Sequence, residues 1–107
     1  MISKNSKIFV AGHRGLVGSA VLRKLKILGY NNILTVTKKK LDLTNQFKTF
    51  TFLKRNNPQF IIICSAKVGG ILANNTFKGE FIYENLQIQN NLIHGAYINK
   101  IKNLIFL

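Results

Sequence analysis

Lys7-Ile8-Phe9-Val10-Ala11-Gly12-His13-Arg14-Gly15-Leu16-Val17-Gly18-Ser19-Ala20 is the stretch whose reading decides the fold. Lys7 to Ala11 is a short run, mostly apolar, that stops at a glycine, which reads as a strand. Three glycines then fall at G-x-x-G-x-x-G spacing, at 12, 15 and 18. Beyond the turn, Leu16, Val17, Ala20, Val21, Leu25 and Leu28 recur at spacings near three and four, which predicts a helix over 16–28. Gly29 is well placed to end that helix in a left-handed conformation.

The same alternation of strand and helix continues along the chain. Asn32 to Val36 reads as a second strand and Leu41-Asp42-Leu43 as a short third one. Thr44 is placed to cap a helix over 45–56, whose apolar stripe is Phe47, Phe50 and Leu53. Asn57-Pro58 breaks the chain, and Phe60-Ile61-Ile62-Ile63-Cys64 follows as a fully buried strand. A loop over 65–76, a long helix over 78–99 and a last strand over 103–107 complete the order. Alternation of this kind implies an α/β fold with a parallel sheet covered on both faces. Right-handed crossovers give the order 3-2-1-4-5, a Rossmann-type sheet that ends on its fifth strand. Ligands in such sheets bind beyond the carboxyl ends of the strands, where the order reverses, here between the strands ending at Ala11 and Cys64.

With 107 residues the chain suffices for one domain. A single cysteine, Cys64, allows no internal disulfide and fits a reducing compartment. The longest apolar run, Phe60 to Cys64, is five residues, against roughly 20 for a membrane span. The first residues lack a signal peptide's apolar stretch, so a cytoplasmic location without membrane attachment is expected. Net charge is +13, which raises nucleic acid or a phosphorylated ligand as partners. However, Lys, Asn and Ile, which share A/T-rich codons, supply 13, 13 and 14 residues. Much of the charge is therefore compositional, and no ribonucleoprotein motif, zinc ligand set or helix-turn-helix supports nucleic acid.

A glycine turn directly after a strand and opening a helix is the setting in which backbone amides and the helix's positive end cradle a pyrophosphate. Gly12 permits the tight turn, Gly15 lets amides approach the phosphates, and Gly18 lets the helix pack without a Cβ in the way. The turn reads as a dinucleotide site, with a purely structural turn as the alternative. NAD-specific sites carry an acid about 20 residues past the glycines, for the ribose 2′-hydroxyl. Here Val36-Thr37-Lys38-Lys39-Lys40 has none, and Arg14 lies inside the turn. Arg14 and Lys38 suit a 2′-phosphate, so NADP(H) is the expected cofactor. The three lysines otherwise read as a solvated charge run. Asp42-Leu43 lies at the rim where an adenine would rest, and the Asp reads equally as an acceptor for the adenine amino group or as a turn residue.

Two segments carry a resemblance to a known family. One is Ala11-Gly12-His13-Arg14-Gly15-Leu16-Val17-Gly18-Ser19-Ala20. The other is Ala66-Lys67-Val68-Gly69-Gly70-Ile71-Leu72-Ala73-Asn74-Asn75-Thr76 with Phe81-Ile82-Tyr83-Glu84-Asn85-Leu86. Together they resemble the GDP-L-fucose synthase family, among the extended short-chain dehydrogenase/reductases, also grouped as NAD-dependent epimerases/dehydratases. The resemblance implies epimerisation and NADPH-dependent reduction of GDP-4-keto-6-deoxy-D-mannose to GDP-L-fucose. To the site read above from Gly12, Gly15, Gly18, Asp42 and Leu43, with Leu16 and Val17 inside the turn, the resemblance adds support for Arg14, which matches the family's arginine in the turn, and for Lys38, which stands where the family usually has an arginine for the 2′-phosphate. Ala66 and Lys67 would join it from the loop along the cofactor's path to the nicotinamide.

The same resemblance implies what to look for and not find. The family's catalytic serine and Tyr-x-x-x-Lys pair lie beyond position 107. Four residues after Tyr30, Tyr83 and Tyr97 stand Leu34, Gln87 and Ile101. No catalytic residue is therefore assigned, and residues 1–107 are expected to be an incomplete NADP(H)-binding domain without reductase activity of its own; a stand-alone NADP(H)-binding module, or part of another extended short-chain dehydrogenase/reductase acting on a sugar nucleotide, is the alternative. Cys64 reads as core and His94 as structural or surface. At Lys78-Gly79 the family commonly has Pro-Ala, a change expected to loosen the helix start by roughly 1 kcal/mol. The helix over 78–99 carries two apolar rows, Ile82/Leu86/Ile93/Tyr97 and Phe81/Ile88/Leu92/Ala96, more than one face against a sheet requires. The resemblance implies a homodimer through this helix; a neighbouring helix of the same chain is the other reading.

Overall fold

The computed structural model describes residues 2–64 and 78–107. Its elements are β1 (Ile8–Ala11), α1 (Leu16–Ile27), β2 (Ile33–Leu34), α2 (Gln46–Asn56), β3 (Phe60–Ile63), α3 (Lys78–Ile98) and β4 (Asn103–Phe106). Among the described residues the four strands form one parallel sheet in the order β2-β1-β3-β4. In β1 all four residues are buried, as expected of a strand covered on both faces. β1 pairs with β3 along its whole length, Ile8 opposite Phe60 through Ala11 opposite Ile63. The chain leaves β1 towards β2 on one side and reaches β3 and β4 on the other. The reversal therefore falls between the ends of β1 and β3, where the periodicity placed it.

The expected five-strand order is corrected to four strands, because Leu41-Asp42-Leu43 is not a strand. The backbone N–H groups of Lys40 and Leu41 both donate to the Thr37 carbonyl, at 3.0 and 2.9 Å, and Asn45 N–H donates to the Asp42 carbonyl at 3.0 Å. Asp42 Oδ1 also accepts from Thr44 N–H at 3.0 Å. Two successive turns thus take up the backbone groups that a ladder would have used; a short polar side chain competing for the local backbone is the cause. β2 is likewise shorter than expected, two residues paired with Ile8 and Phe9. The helix cap also moves by one residue: Asn45 Oδ1 accepts from Lys48 N–H at 2.9 Å, while Thr44 is engaged with Asp42.

The core lies on the α2–α3 side of the sheet, where Phe9, Ala11, Leu53, Ile61, Ile63, Leu92, Ala96 and Ile101 form one cluster. The Phe9 and Phe52 rings meet at 5.0 Å. On α2 the inward face is Thr49, Phe52 and Leu53, and Phe47, expected in the stripe, is 78% exposed. On α3 the row Phe81/Ile88/Leu92/Ala96 turns inward and the row Ile82/Leu86/Ile93/Tyr97 faces out. α1 sits lightly by comparison: Gly18, Val21, Leu22 and Leu25 turn inward, and Leu16, placed in the stripe by spacing, is 90% exposed.

Helix α1 ends as the sequence indicates. Gly29 has φ +91°, its N–H bonds to the Lys26 carbonyl, and Tyr30 N–H bonds to the Leu25 carbonyl, a Schellman motif. Helix α3 closes the same way with Lys100 at φ +60° and Ile101 N–H on the Ala96 carbonyl.

The entry to α1 is held by one contact. A Cβ added at Gly18 would lie 1.8 Å from the Gly12 carbonyl oxygen, 2.6 Å from its carbon and 3.0 Å from His13 Cα. All three are backbone atoms, so no side chain can swing away. Gly18→Ala is expected to lower unfolding stability by about 3 kcal/mol or more. Urea denaturation checks this, and a loss under about 1 kcal/mol would mean that the turn yields.

Candidate functional site

The glycine turn is built around the Gly12 carbonyl. Gly12 adopts φ +86°, a left-handed value that favours glycine. Its carbonyl accepts from Gly15 N–H at 3.2 Å and lies against Gly18. Gly15 is different. It has φ −73° and ψ 172°, open to any residue, and an added Cβ would stand 3.5 Å from the Gly12 oxygen, an ordinary contact. The protein needs Gly12 for its conformation and Gly18 for its packing, but it does not need Gly15 for either.

Gly15 is also the N-cap of α1, and that helix starts with no side-chain cap and no acid in its first turn. Helix α2 does have one, Asn45. The first N–H groups of α1 therefore point past Gly15 without a side-chain acceptor, the arrangement that suits an anion.

A cleft of about 250 Å3 opens at this point, lined by the turn from Gly12 to Gly15, by Val36, Thr37 and Lys38 after β2, by the segment from Leu41 to Thr44, by Cys64 after β3, and by Glu84 and Ile88 of α3. That is somewhat below the usual range of ligand pockets, roughly 300–1,000 Å3. A neighbouring recess is lined by Lys38, Asp42, Thr44, Gly79, Glu80, Tyr83 and Glu84. The three acidic residues of a chain with net charge +13 all line one or other of these spaces.

Gly12, Arg14, Gly15, Lys38, Asp42 and Leu43, expected at the site, are brought together in the cleft. Leu16 and Val17 have outward side chains and do not line the cleft, and Gly18 is buried beneath the turn. Ala66 and Lys67 lie outside the described residues. Sequence reasoning missed Val36, Thr37, Thr44, Glu84 and Ile88, since spacing gave no sign of which α3 residues reach across the sheet's end. Cys64 is corrected: it is half-buried and lines the cleft, and burial raises its thiol pKa. His94 is exposed, as expected, with its ring between Phe50 and Tyr97 at 5.8 and 5.9 Å. Among the described residues no group of His, Cys, Asp and Glu is arranged to hold a metal ion, and no helix is long and apolar enough to cross a membrane.

Comparison with known proteins agrees with this geometry. The model of the NAD dependent epimerase/dehydratase family matches residues 8–107. A putative GDP-L-fucose synthase from Arabidopsis thaliana is 52% identical over 100% of this chain and 33% of its own length. The GDP-L-fucose synthase of Escherichia coli strain K12 is 40% identical over 94% of this chain and 32% of its own. A GDP-mannoheptose C4 reductase from Campylobacter jejuni, solved with NADP bound, superposes with a TM-score of 0.93 at 40% identity, over 99% of this chain and 33% of that one. The chain thus spans about a third of the length of the curated relatives it matches.

Asp42 Oδ1 accepts from Thr44 Oγ1 at 2.7 Å as well as from Thr44 N–H. These two bonds, foremost the hydroxyl's, hold its carboxyl below the ordinary range, and Lys38 and Lys48 add to the effect. A carboxyl lowered on folding stabilises the fold above its unfolded pKa and loses that contribution as pH falls through the folded one. The advantage of the parent chain over Asp42→Ala in urea unfolding is therefore expected at pH 6 and to fade below about pH 4. An advantage unchanged at pH 2.5 would show that the charge is irrelevant.

Proposed function

The chain belongs to the NAD dependent epimerase/dehydratase family, and on that premise we propose that its 107 residues bind NADP(H) in the cleft beyond β1 and β3. The observation that carries this reading is the uncapped start of α1 at Gly15, a glycine that the fold does not need, beside Arg14 and Lys38. The pyrophosphate rests on the N–H groups of Leu16, Val17 and Gly18, and a Cβ at Gly15 would stand in its way. Arg14 and Lys38 meet the 2′-phosphate. A cleft lined by two cations and by Asp42 and Glu84 suits a ligand with phosphate at one side and an amino group at the other, as a 2′-phosphoadenosine has. Asp42, in this reading, accepts from the adenine amino group, and Ala66 and Lys67 flank the path to the nicotinamide.

These residues form the amino-terminal, cofactor-binding part of a GDP-L-fucose synthase, which epimerises and reduces GDP-4-keto-6-deoxy-D-mannose in the cytoplasm. When bound, NADPH supplies the hydride; the residues here bind and orient it. The outward row Ile82/Leu86/Ile93/Tyr97 of α3 supports a homodimer through that helix, since a row of that kind is otherwise left in water. The Tyr-x-x-x-Lys pair that would move a proton is not in the 107 residues, so they are expected to bind cofactor without turning over the sugar nucleotide. NADPH oxidation by them that depends on the keto sugar would overturn this.

The experiment is calorimetric titration of the 107-residue chain with NADPH and NADH. NADPH is expected to bind at least about tenfold more tightly, and Arg14→Ala and Lys38→Ala each to erode that preference several-fold. Equal or tighter NADH binding overturns the cofactor choice. Gly15→Ala is expected to keep unfolding stability within about 0.5 kcal/mol while weakening NADPH; unchanged NADPH binding would reduce the turn to a structural one.

A further inference from the structure

Among the described residues, three polar side chains are fully buried: Ser6, Thr49 and Asn91. Two of them address the same atom. Asn91 of α3, 2% exposed, donates from Nδ2 to the Leu43 carbonyl at 2.8 Å. Thr49 of α2, 0% exposed, donates from Oγ1 to that carbonyl at 3.3 Å. A carbonyl oxygen has two lone pairs, and two different helices each supply a donor to this one, from residues 49 and 91. Leu43 and its neighbours Asp42 and Thr44 form a wall of the cleft.

The packing behind this convergence is close. One turn beyond Asn91 is Gly95, where an added Cβ would come within 2.8 Å of Leu53 Cδ1 and 3.0 Å of Phe50 Cδ1. Leu53 is in turn one turn beyond Thr49. The near approach of α2 to α3 at Gly95 therefore sets the spacing at which Thr49 and Asn91, one turn earlier on each helix, both reach Leu43. The segment they hold is the one that failed to become a strand. Among the described residues it has no ladder partner, so its position depends on its own turns, on the packing of Leu41 and Leu43 and on these two donors.

We infer that Asn91 and Thr49 are positioning residues for the cleft: by gripping the Leu43 carbonyl they fix the rim 41–44 against which the adenine end of the cofactor lies. They touch no ligand themselves. The inference rests on the NADP(H) reading, and it adds to it a dependence of adenine-side binding on two side chains remote from the glycine turn.

The test uses 2′,5′-ADP, the adenine end of NADP, titrated into the parent chain, Asn91→Leu, Thr49→Val and Thr49→Ser, with amide hydrogen exchange followed alongside. Asn91→Leu is expected to weaken 2′,5′-ADP by roughly tenfold, the scale of one buried hydrogen bond lost. It is expected to speed exchange at 41–45 while leaving the amides of the glycine turn at parental rates. A merely structural role would raise exchange in both places. Thr49→Val, which leaves Asn91 on the carbonyl, is expected to lose several-fold, and Thr49→Ser, which keeps the hydroxyl, to match the parent. If Asn91→Leu does not fold, the Thr49 pair carries the test. Folded variants that bind 2′,5′-ADP like the parent overturn the inference and leave the cofactor reading standing. A parent chain that binds neither 2′,5′-ADP nor NADPH overturns both.

Discussion

The carbonyl of Gly12 resting on the Cα of Gly18 is the contact on which the arrangement of this site depends. It fixes where the chain leaves β1, how steeply it turns, and the line along which α1 departs. Because β1 is central and buried on both faces, that line is referred to the whole sheet. The consequence is chemical: the uncapped amides of α1 are presented beyond the strand ends, beside the point where strand order reverses. No side chain is needed to aim them, since the aim is a property of backbone packed on backbone.

The two sides of the sheet do different work. On one side α2 and α3 enclose the core cluster, with Gly95 letting them approach closely. On the other, α1 contributes a single fully buried residue, Gly18. The helix that presents its amino terminus to the cleft is thus the most lightly packed of the three. The helices that make the core also reach the cleft, through Glu84 and Ile88 directly and through Asn91 and Thr49 on the Leu43 carbonyl. Stability and site geometry share those residues on one side and are nearly separate on the other.

What could be read from the sequence was what local backbone chemistry dictates. Gly29 in the left-handed region, the order of the long elements, the switch point and the presence of two apolar rows on α3 all follow from spacing and from glycine's freedom, whereas which of the two rows turns inward is set by the sheet and α2. The misreadings share a cause. Leu41-Asp42-Leu43 has a strand's alternation, but Asp42 and Thr44 bond to each other and to the local backbone, which spacing cannot weigh. Asn45 and Thr44 are both good caps, and the choice between them was made by what Asp42 had already engaged. Phe47 and Leu16 fit helical stripes whose true phase is set by the partner surface. The cleft's floor was illegible for a similar reason: Cys64 reads as the end of an apolar run, and only the arrangement of β1 beside β3 shows that the run stops at the mouth of a cleft.

Gly15 and Gly18 look alike in the sequence yet answer to different pressures. Any lineage that keeps this fold must keep Gly18, whatever the protein is used for. Gly15 is under no such demand from the fold. Across descendants of this chain, the two positions form a paired record: constancy at 18 reports that the fold survives, and drift at 15 reports that the fold alone is being kept.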